Sequence, residues 1–563
     1  MAIDHEKLFK VLTESGLLTS RQLTEARNKS EGSKIPFEDV LVDDEYVSDD
    51  NLGQLISDIY HVPFVNLKKK RIEDSVLRIV PEIVAKRQKI IPFDRGPDGI
   101  KLAMIDPGND EQIFFIEKKT GEKVIPYYTS SKNIVEGLQH YRKDIKEEFA
   151  DIIKENVEAT RSKTQEDSEL PITRIVDTVL DYAYQNKASD IHIEPHENAV
   201  VIRFRIDGIL HDVVTLPKDV HSFIITRIKI MSRLRTDEHR SAQDGRLVFE
   251  TDVEKVDVRV SVIPVSDGEK AVLRLLSEKS RQFKLSELGL DTANKKILEK
   301  EFKKPHGMVL ATGPTGSGKT TTLYAILKIL NTREVNISTI EDPVEYDIEG
   351  VNQIQVDPKT NLTFAKGLRS ILRQDPDIVM VGEIRDEDTA DIAINAAMTG
   401  HLVLSTLHTN DAPTTLPRLL EMKIEPFLIA TTVGVALAQR LVRKIHLGCL
   451  ESFIPSAKDL QKYKRAVDRK ALERIGLYKK DIRLYRGKGC QLCNHTGFEG
   501  RVGIFELLDM TDTIRQLVMK RSNSGEIRTA AIAEGMIPML DDGLKKAAKG
   551  ITTIEEIFRV ITT

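Results

Sequence analysis

Tryptophan is absent from this sequence of 563 residues, and cysteine occurs only three times. The missing tryptophan by itself decides nothing, but so few cysteines, two of them in one CxxC pair, argue against a disulfide framework and indicate a reducing compartment. No stretch approaches the roughly 18 consecutive apolar residues of a membrane span, and the N-terminus lacks the basic and apolar regions of a signal peptide. We therefore expect a cytosolic protein.

The sequence also lacks a large excess of positive or negative charge. Lysine and arginine total 83 against 87 aspartate and glutamate, a formal net charge of -4. A DNA-translocating ATPase would need basic loops facing a pore, and this balance gives no sign of them. We expect no stable nucleic-acid binding, and the length predicts about three or four domains.

The strongest motif is a glycine-rich loop that fits the pattern GxxxxGK[ST]. It follows the apolar run 308–311 and opens into a helix-like segment, which is the strand, loop and helix context of a phosphate-binding P-loop. Lys319 would reach the β and γ phosphates of a nucleotide, and the Thr320 hydroxyl would ligate Mg²⁺. The predicted ATP-binding residues are Gly313, Pro314, Thr315, Gly316, Ser317, Gly318, Lys319, Thr320 and Thr321.

Two further segments place acidic or imidazole groups after the P-loop. The acidic segment 339–346 contains Glu345, and the histidine segment 399–408 contains His401. Between them, the apolar run 378–381 predicts a parallel strand covered on both faces, and Glu383 falls just beyond its carboxyl end, where ligands of such sheets bind.

The N-terminal residues 1–66 read as a tandem repeat of helical hairpins. The stretches 8–26 and 37–56 share an apolar helix, a short acidic turn, a Thr19 or Ser48 cap and a second helix. Residues 67–145 then change to a mixed α/β pattern, and 146–170 predict a charged linker.

Residues 171–284 predict an antiparallel sheet with helices on one side, including a hairpin turn at Asp207-Gly208. The P-loop, the acidic segment, the Glu383 segment and the histidine segment occur in an order that resembles the type II secretion and type IV pilus ATPase family (GspE/PilB). The resemblance is greatest to the pilus-extension branch. It implies an α/β multidomain protein with a RecA-like ATPase core at 285–563, preceded by a PAS-like α+β domain at 171–284 and an MshEN-like repeat at 1–66.

The resemblance also implies roles for individual residues. Glu345 would be the catalytic carboxylate, Glu383 the Walker B acid that holds Mg²⁺, and His401 the contact to the γ-phosphate. Arginines would surround the nucleotide, two of them supplied by a neighbouring subunit of a homo-hexamer, so that hydrolysis would require assembly. These arginines are Arg259 and Arg274 in the preceding domain, and Arg369 and Arg373 in the core.

Within the core, an insert at about 441–500 carries HxxC and CxxC pairs, and helices follow at 505–563. The family usually has four cysteines here, whereas this chain has His446, Cys449, Cys490 and Cys493. Three sulfurs and one imidazole suit tetrahedral Zn²⁺. The alternative is a set of unmetallated thiols with His446 on the surface.

The resemblance implies a cytoplasmic Mg²⁺-dependent ATPase that powers pilin polymerisation at the inner face of the cytoplasmic membrane. It would act through an inner-membrane platform protein and be peripheral to the membrane through its partners. A type II secretion ATPase shares the same motifs, while a retraction ATPase usually lacks the N-terminal region and the zinc insert. A non-catalytic cyclic di-GMP scaffold is a further alternative, but the Arg-Leu-Gly of ligand-binding repeats is replaced by Lys7-Leu8-Phe9 and Ile35-Pro36-Phe37, which favours a docking module.

Overall fold

The computed structural model describes residues 5–14, 18–33, 36–44, 46–70, 72–138, 141, 154, 169–251, 254–276, 284–456, 483–490, 493 and 495–561. They divide into two compact units. The first contains the described part of Met1–Asp151 with His446–Leu450 and Lys488–Gly497, and the second contains the remainder. Across these described residues, no helix combines the length and the apolar character that crossing a membrane requires.

The first unit opens with two helical hairpins, as the repeat predicts. Thr19 and Ser48 act as the expected caps, because their hydroxyls accept hydrogen bonds from the backbone N–H groups of Gln22 and Asn51 at 3.4 and 3.2 Å. A shared apolar core of leucines and valines holds the hairpins together. The four helices are α1 His5–Glu14, α2 Ser20–Ser33, α3 Phe37–Asp43 and α4 Asp49–Tyr60.

A small α/β layer completes the N-terminal part of this unit. The predicted strands on either side of the turn at 97–98 form an antiparallel pair, and a third strand adds in parallel. The predicted linker at 146–170 lies outside the described residues apart from Lys154, Glu169 and Leu170. The elements are α5 Asp74–Leu77, α6 Glu82–Gln88, β1 Ile90–Gly96, β2 Gly99–Met104, α7 Asp110–Thr120, β3 Val124–Tyr128 and α8 Ser131–Leu138.

The second unit begins with the predicted antiparallel sheet, which has six strands in the order β6-β5-β4-β9-β8-β7. The hairpin at Asp207-Gly208 is confirmed, since both residues have positive φ values of 49° and 86°. Alternating apolar residues bury one sheet face against two helices, and the other face is charged. The elements are α9 Glu169–Gln185, β4 Asp190–Pro195, β5 Ala199–Ile206, β6 Ile209–Pro217, α10 His221–Met231, β7 Gln243–Glu250, β8 Lys255–Val265 and β9 Gly268–Leu276.

A seven-stranded sheet in the order β12-β11-β13-β14-β10-β15-β18 forms the centre of the same unit. All neighbouring strands are parallel except β15 and β18. Alternate residues of β10 and β13 enter two apolar cores on opposite faces, which explains the continuous apolar runs. The strands are β10 Gly307–Thr312, β11 Ile337–Glu341, β12 Asn352–Gln355, β13 Ile378–Val381, β14 Leu402–Leu407, β15 Val433–Ile445 and β18 Phe498–Asp509.

Helices cover both faces of this sheet, and a two-stranded sheet extends from the insert. The sheet helices are α11 Thr292–Phe302, α12 Lys319–Leu330, α13 Phe364–Ile371, α14 Glu387–Met398, α15 Thr415–Glu421 and α16 Pro426–Thr432. The insert strands are β16 Leu450–Phe453 and β17 Leu484–Gly487. The helices predicted at 505–563 begin later than expected, because residues 505–509 pair with β15 as the end of β18. They are α17 Asp512–Met519, α18 Ser524–Ala533, α19 Met539–Ala548 and α20 Ile554–Ile561.

Candidate active site and metal centre

Four parallel strands bring the predicted nucleotide-binding segments to one edge of the seven-stranded sheet. Because β10, β11, β13 and β14 run in the same direction, their carboxyl ends meet there. The P-loop follows β10, the acidic segment begins within β11 and continues beyond it, Glu383 follows β13 and His408 follows β14. Segments that are distant in sequence therefore converge on one cleft.

The P-loop has a backbone that only glycine readily adopts. Gly313, Gly316 and Gly318 have φ values of 141°, 76° and 90°. A Cβ atom at Gly313 would lie 2.5 Å from the backbone oxygen of Gln439 and 2.8 Å from the Ser317 hydroxyl. The loop thus passes too close to β15 for a side chain at this position.

Gln439 on β15 clamps the loop to the helix that follows it. Its side chain is 1% exposed, its Nε2 donates to the Ser317 carbonyl at 2.8 Å, and its Oε1 accepts from the Thr322 hydroxyl at 2.8 Å. Both ends of the buried amide are satisfied, which fixes the turn from the loop into α12.

Lys319 folds back over the P-loop. Its Nζ donates to the carbonyl oxygens of Gly313 and Pro314 at 2.9 and 3.1 Å. Burial lowers the pKa of this lysine, and the negative charge of Glu383 opposes that shift. The ammonium therefore lies within electrostatic reach of both the loop and Glu383.

The residues at the start of α12 fit a nucleotide phosphate. Ser317 is 4% exposed, and its hydroxyl oxygen has no hydrogen-bond partner within the described residues. The half-buried Thr320 and Thr321 lie in the first helical turn, where backbone N–H groups and the helix dipole favour an anion. A glycine cradle, an orphaned buried hydroxyl and a half-buried lysine together form an anion site.

The acidic segment lies against two arginines of the antiparallel sheet. Arg259 donates from Nη2 to the backbone oxygen of Val344 at 2.5 Å. Arg274 donates from Nε to Asp190 at 2.9 Å, and this bond, with a smaller contribution from the nearby carboxylate of Glu345, raises its pKa. Both arginines approach the half-buried Glu345 within the same chain, whereas the sequence led us to expect that a neighbouring subunit supplies them.

Glu383 lies between a histidine and an arginine at the sheet edge. It is 9% exposed, its Oε2 lies 3.0 Å from His408 Nε2, and its Oε1 pairs with the Arg385 guanidinium. The hydrogen bond to Glu383 raises the pKa of Arg385. This carboxylate is therefore oriented toward the cleft that also contains Lys319.

The structure does not bring His401, Arg369 and Arg373 to this cleft within one chain. The backbone oxygen of His401 accepts from Gly307 at the amino end of β10, and its Nδ1 lies 3.1 Å from the Ala396 oxygen. Arg373 donates to the Arg369 carbonyl, just before the segment that joins α13 to the amino end of β13. These three residues thus lie toward the opposite edge, about 20 Å away across a strand of this length.

The four predicted zinc ligands converge in the first unit. Their ligand atoms all lie within 4.8 Å of one another. Cys493 Sγ is 3.7 Å from Cys490 Sγ and 3.9 Å from Cys449 Sγ, and Cys490 Sγ is 3.5 Å from His446 Nδ1. Four ligands placed tetrahedrally at zinc–sulfur distances would be separated by about 3.8 Å. His446 is 6% exposed rather than on the surface, so the donor set fits a tetrahedral metal.

Sequence reasoning missed several residues that the fold places at the cleft. His408 was part of the histidine segment, and its position after β14, like that of Glu383 after β13, is the signal that could have identified it. Arg385 lies two residues after Glu383 in the same segment of the sequence. Gln439 and Tyr324 carried no such signal, because their contacts depend on the pairing of β15 with β10 and on the packing of α12.

Comparison with known proteins agrees with this geometry. The model of the family described as "Type II/IV secretion system protein" matches residues 165–559. This chain belongs to that family. A second model, the MshEN domain, matches residues 60–148, a range that starts near the end of the helical hairpins and covers the small α/β layer.

Two relatives of this secretion ATPase family align along almost the whole chain. The type IV pilus assembly ATPase PilB of Myxococcus xanthus is 38% identical over 98% of this chain and 98% of its own length. The type II secretion system protein E of Xanthomonas campestris pv. campestris is 37% identical, also over 98% of both chains.

A solved structure supports the fold of the secretion ATPase region. The ATPase DotB of Yersinia pseudotuberculosis has a TM-score of 0.51 at 21% identity, and the match covers 69% of this chain and 93% of that chain. Family membership, the intact P-loop and the carboxylates at the sheet edge identify the chain as an ATP-hydrolysing P-loop ATPase with a RecA-like core. Its family membership implies ATP and Mg²⁺.

Proposed function

We propose that this chain is the ATPase that powers pilin polymerisation in type IV pilus assembly. The observation that carries the proposal is the convergence of the P-loop, Glu345 and Glu383 at one sheet edge, in a chain that aligns with a pilus assembly ATPase over 98% of its length. As a homo-hexamer at the cytoplasmic face of the inner membrane, it would transmit domain motion to a platform protein.

In this proposal the contacts of each residue support its role. The P-loop amides and Lys319 bind the phosphates, Glu345 orients the attacking water, and Arg259 and Arg274 stabilise the charge that develops on the transferred phosphoryl group. Thr320 and Glu383 would hold Mg²⁺, which supplies charge neutralisation between the phosphates when bound. His408 replaces His401 as the candidate for contact with the γ-phosphate, because only His408 reaches the Glu383 edge.

Turnover of the purified protein tests the motor. ATP hydrolysis should fall at least about a hundredfold in Glu345→Gln and Arg274→Ala, since each removes a group of the transition state. Because both arginines approach the acidic segment of their own chain, the monomer should also hydrolyse ATP, and a rate that rises with assembly, followed by light scattering, would favour arginines supplied by a neighbour. Retained activity of Glu345→Gln would remove the proposed role of that carboxylate.

Type II secretion is the second candidate, favoured by the equally complete alignment with a secretion system protein E. Deletion of the gene in its native cell separates the two. Loss of surface pili with normal export of secreted enzymes supports pilus assembly, and the converse supports secretion.

We also propose structural Zn²⁺ at His446, Cys449, Cys490 and Cys493. The support is a set of inter-ligand distances that suits a tetrahedral metal. The purified protein should contain about one zinc per chain by elemental analysis, and Cys493→Ser should lose it. His446→Cys, which preserves four ligands, should retain it. Zinc-free parent protein purified without chelator would overturn the assignment.

A further inference from the structure

Tyr324 lies on the P-loop helix but faces the acidic segment. It is completely buried, and its phenol donates to Glu341 Oε2 at 2.5 Å. The same phenol oxygen lies 3.4 Å from the backbone nitrogen of Glu345 and 3.2 Å from Nε2 of Gln353, which both point N–H groups at it. One hydroxyl therefore connects α12, the end of β11 and the backbone of the segment that carries Glu345.

Glu341 is the buried acceptor of this network. It is 2% exposed, and its Oε1 accepts from the Thr339 hydroxyl at 2.7 Å and from Gln353 Nε2 at 3.1 Å. Burial raises its pKa, while the three donors act in the opposite direction. A carboxylate buried at the end of β11 needs hydrogen-bond donors to offset its loss of water. The Glu341 carboxylate therefore holds the Tyr324, Thr339 and Gln353 side chains in place.

Gln353 attaches the far side of the acidic segment. Its Oε1 accepts from the backbone nitrogen of Ile348 at 2.7 Å, and its Nε2 lies 3.2 Å from the Tyr346 carbonyl. The Tyr346 ring packs edge-on against the Tyr324 ring, with centroids 4.7 Å apart. The segment is therefore held on both sides of Glu345, whose backbone N–H joins the network.

We propose that Tyr324 is a positioning residue for hydrolysis, which sets the place of Glu345 relative to the P-loop through its hydrogen bonds to Glu341, Gln353 and the Glu345 backbone. Lys319 and Thr320 lie in the first turn of the same helix. The helix that carries the phosphate-binding groups thus also determines the location of the catalytic carboxylate. This inference rests on the proposed role of Glu345.

The test is Tyr324→Phe, which keeps the buried ring and removes only the hydroxyl. We expect kcat to fall about tenfold, equivalent to about 1.4 kcal/mol of barrier, with the KM for ATP unchanged within about twofold because the phosphate-binding groups remain. Tyr184→Phe is the matched control. Its phenol, on α9, also donates to a glutamate, Glu254 between β7 and β8, at 2.8 Å, and the kcat of the variant should equal that of the parent.

An unchanged kcat in Tyr324→Phe, or an equal fall in both tyrosine variants, would overturn the inference. If Tyr324→Phe lowers the thermal midpoint too far for assay, Gln353→Met gives an independent reading. It breaks the network from the β12 side and should also lower kcat at constant KM, and a parental kcat there would equally overturn the inference. Glu345→Gln separates the two hypotheses, because retained turnover in that variant would refute the catalytic role of Glu345 whatever Tyr324→Phe does.

Discussion

His401 and His408 flank the two ends of β14, and the direction of the strand determines which one lies near Glu383. His408 follows the carboxyl end and lies 3.0 Å from Glu383, whereas His401 precedes the amino end and contacts the Ala396 carbonyl. Both histidines belong to the same short motif, but β14 separates them. They therefore lie at opposite edges of the sheet and have different neighbours.

We predict that His408→Ala lowers kcat by about ten- to a hundredfold, because Glu383 loses one of its two orienting partners and the cleft loses an imidazole. His401→Ala is the paired control and should retain kcat within about twofold in steady-state assays of assembled protein. The reverse ranking would show that the amino edge of the sheet, and not this cleft, contacts the γ-phosphate.

At the level of the element, β15 stabilises the P-loop through Gln439. The side-chain amide of Gln439 forms hydrogen bonds with both the Ser317 carbonyl and the Thr322 hydroxyl, and all three groups are buried. Removal of the amide leaves two buried polar groups without their partner, and each such group costs about 1–3 kcal/mol.

Gln439→Ala should therefore raise the KM for ATP and lower the thermal midpoint of the protein. Steady-state kinetics and differential scanning calorimetry measure the two effects. Gln516→Ala, at an exposed position of α17, should change neither. Parental KM and midpoint in Gln439→Ala would mean that the loop keeps its conformation without the clamp.

The C-terminal helix α20 is fastened to β15 by a buried carboxylate. Glu556 is 3% exposed and pairs with Arg443 at 2.6 Å and with Arg559 at 2.8 Å. Burial opposes its ionisation, but hydrogen bonds from Arg443 and Arg559 outweigh burial and lower its pKa to about 2. Because the folded-state pKa is depressed, the ionised pair stabilises the protein above the ordinary carboxyl pKa, and this stabilisation is lost as pH falls from about 4.5 to about 2.

Glu556→Gln should lower the free energy of unfolding by about 3 kcal/mol at pH 7, as expected when one partner of a buried pair is removed. Guanidinium unfolding at several pH values should show the difference shrinking toward pH 2. Glu250→Gln, which breaks an ion pair with Lys255 whose side chains are 70% and 74% exposed, should have almost no effect. A difference that is constant down to pH 2 would contradict the assignment.

For the whole molecule, the question is whether each active site is complete within one chain. Arg259 bonds the Val344 carbonyl, and Arg274 lies within electrostatic reach of Glu345 of its own chain. If the arginines act in their own chain, mixing two inactive variants cannot restore a site.

Rings that contain both Glu345→Gln and Arg274→Ala subunits can be isolated when each variant carries a different affinity tag. These mixed rings should hydrolyse ATP as slowly as rings of either variant alone. Rings mixed from parent and Glu345→Gln subunits control for the effect of mixing. If arginines are instead supplied by neighbours, roughly a quarter of the sites in randomly mixed rings would combine a native Glu345 with a native Arg274. A turnover near a quarter of the parental rate would show that the arginines do not act within their own chain.

The parts of this molecule that the sequence predicts are those that depend on local pattern. The P-loop, the helix caps at Thr19 and Ser48 and the Asp207-Gly208 turn each follow from adjacent residues. Contacts across the sheet could not be read in this way. The cleft contacts of Gln439, and of Arg259 with the acidic segment, depend on which strands pair and in which register.

The insert begins and ends on neighbouring strands of the large sheet. Ile445, the last residue of β15, is the register partner of Phe498, the first residue of β18. Chain entry and exit are therefore held side by side by the sheet itself, so the loop between them could lengthen, shorten or exchange its content at small entropic cost to the sheet. In evolutionary terms, the sheet would tolerate exchange of the segment that carries His446, Cys449, Cys490 and Cys493 while the strands that carry the P-loop and Glu383 stay in place.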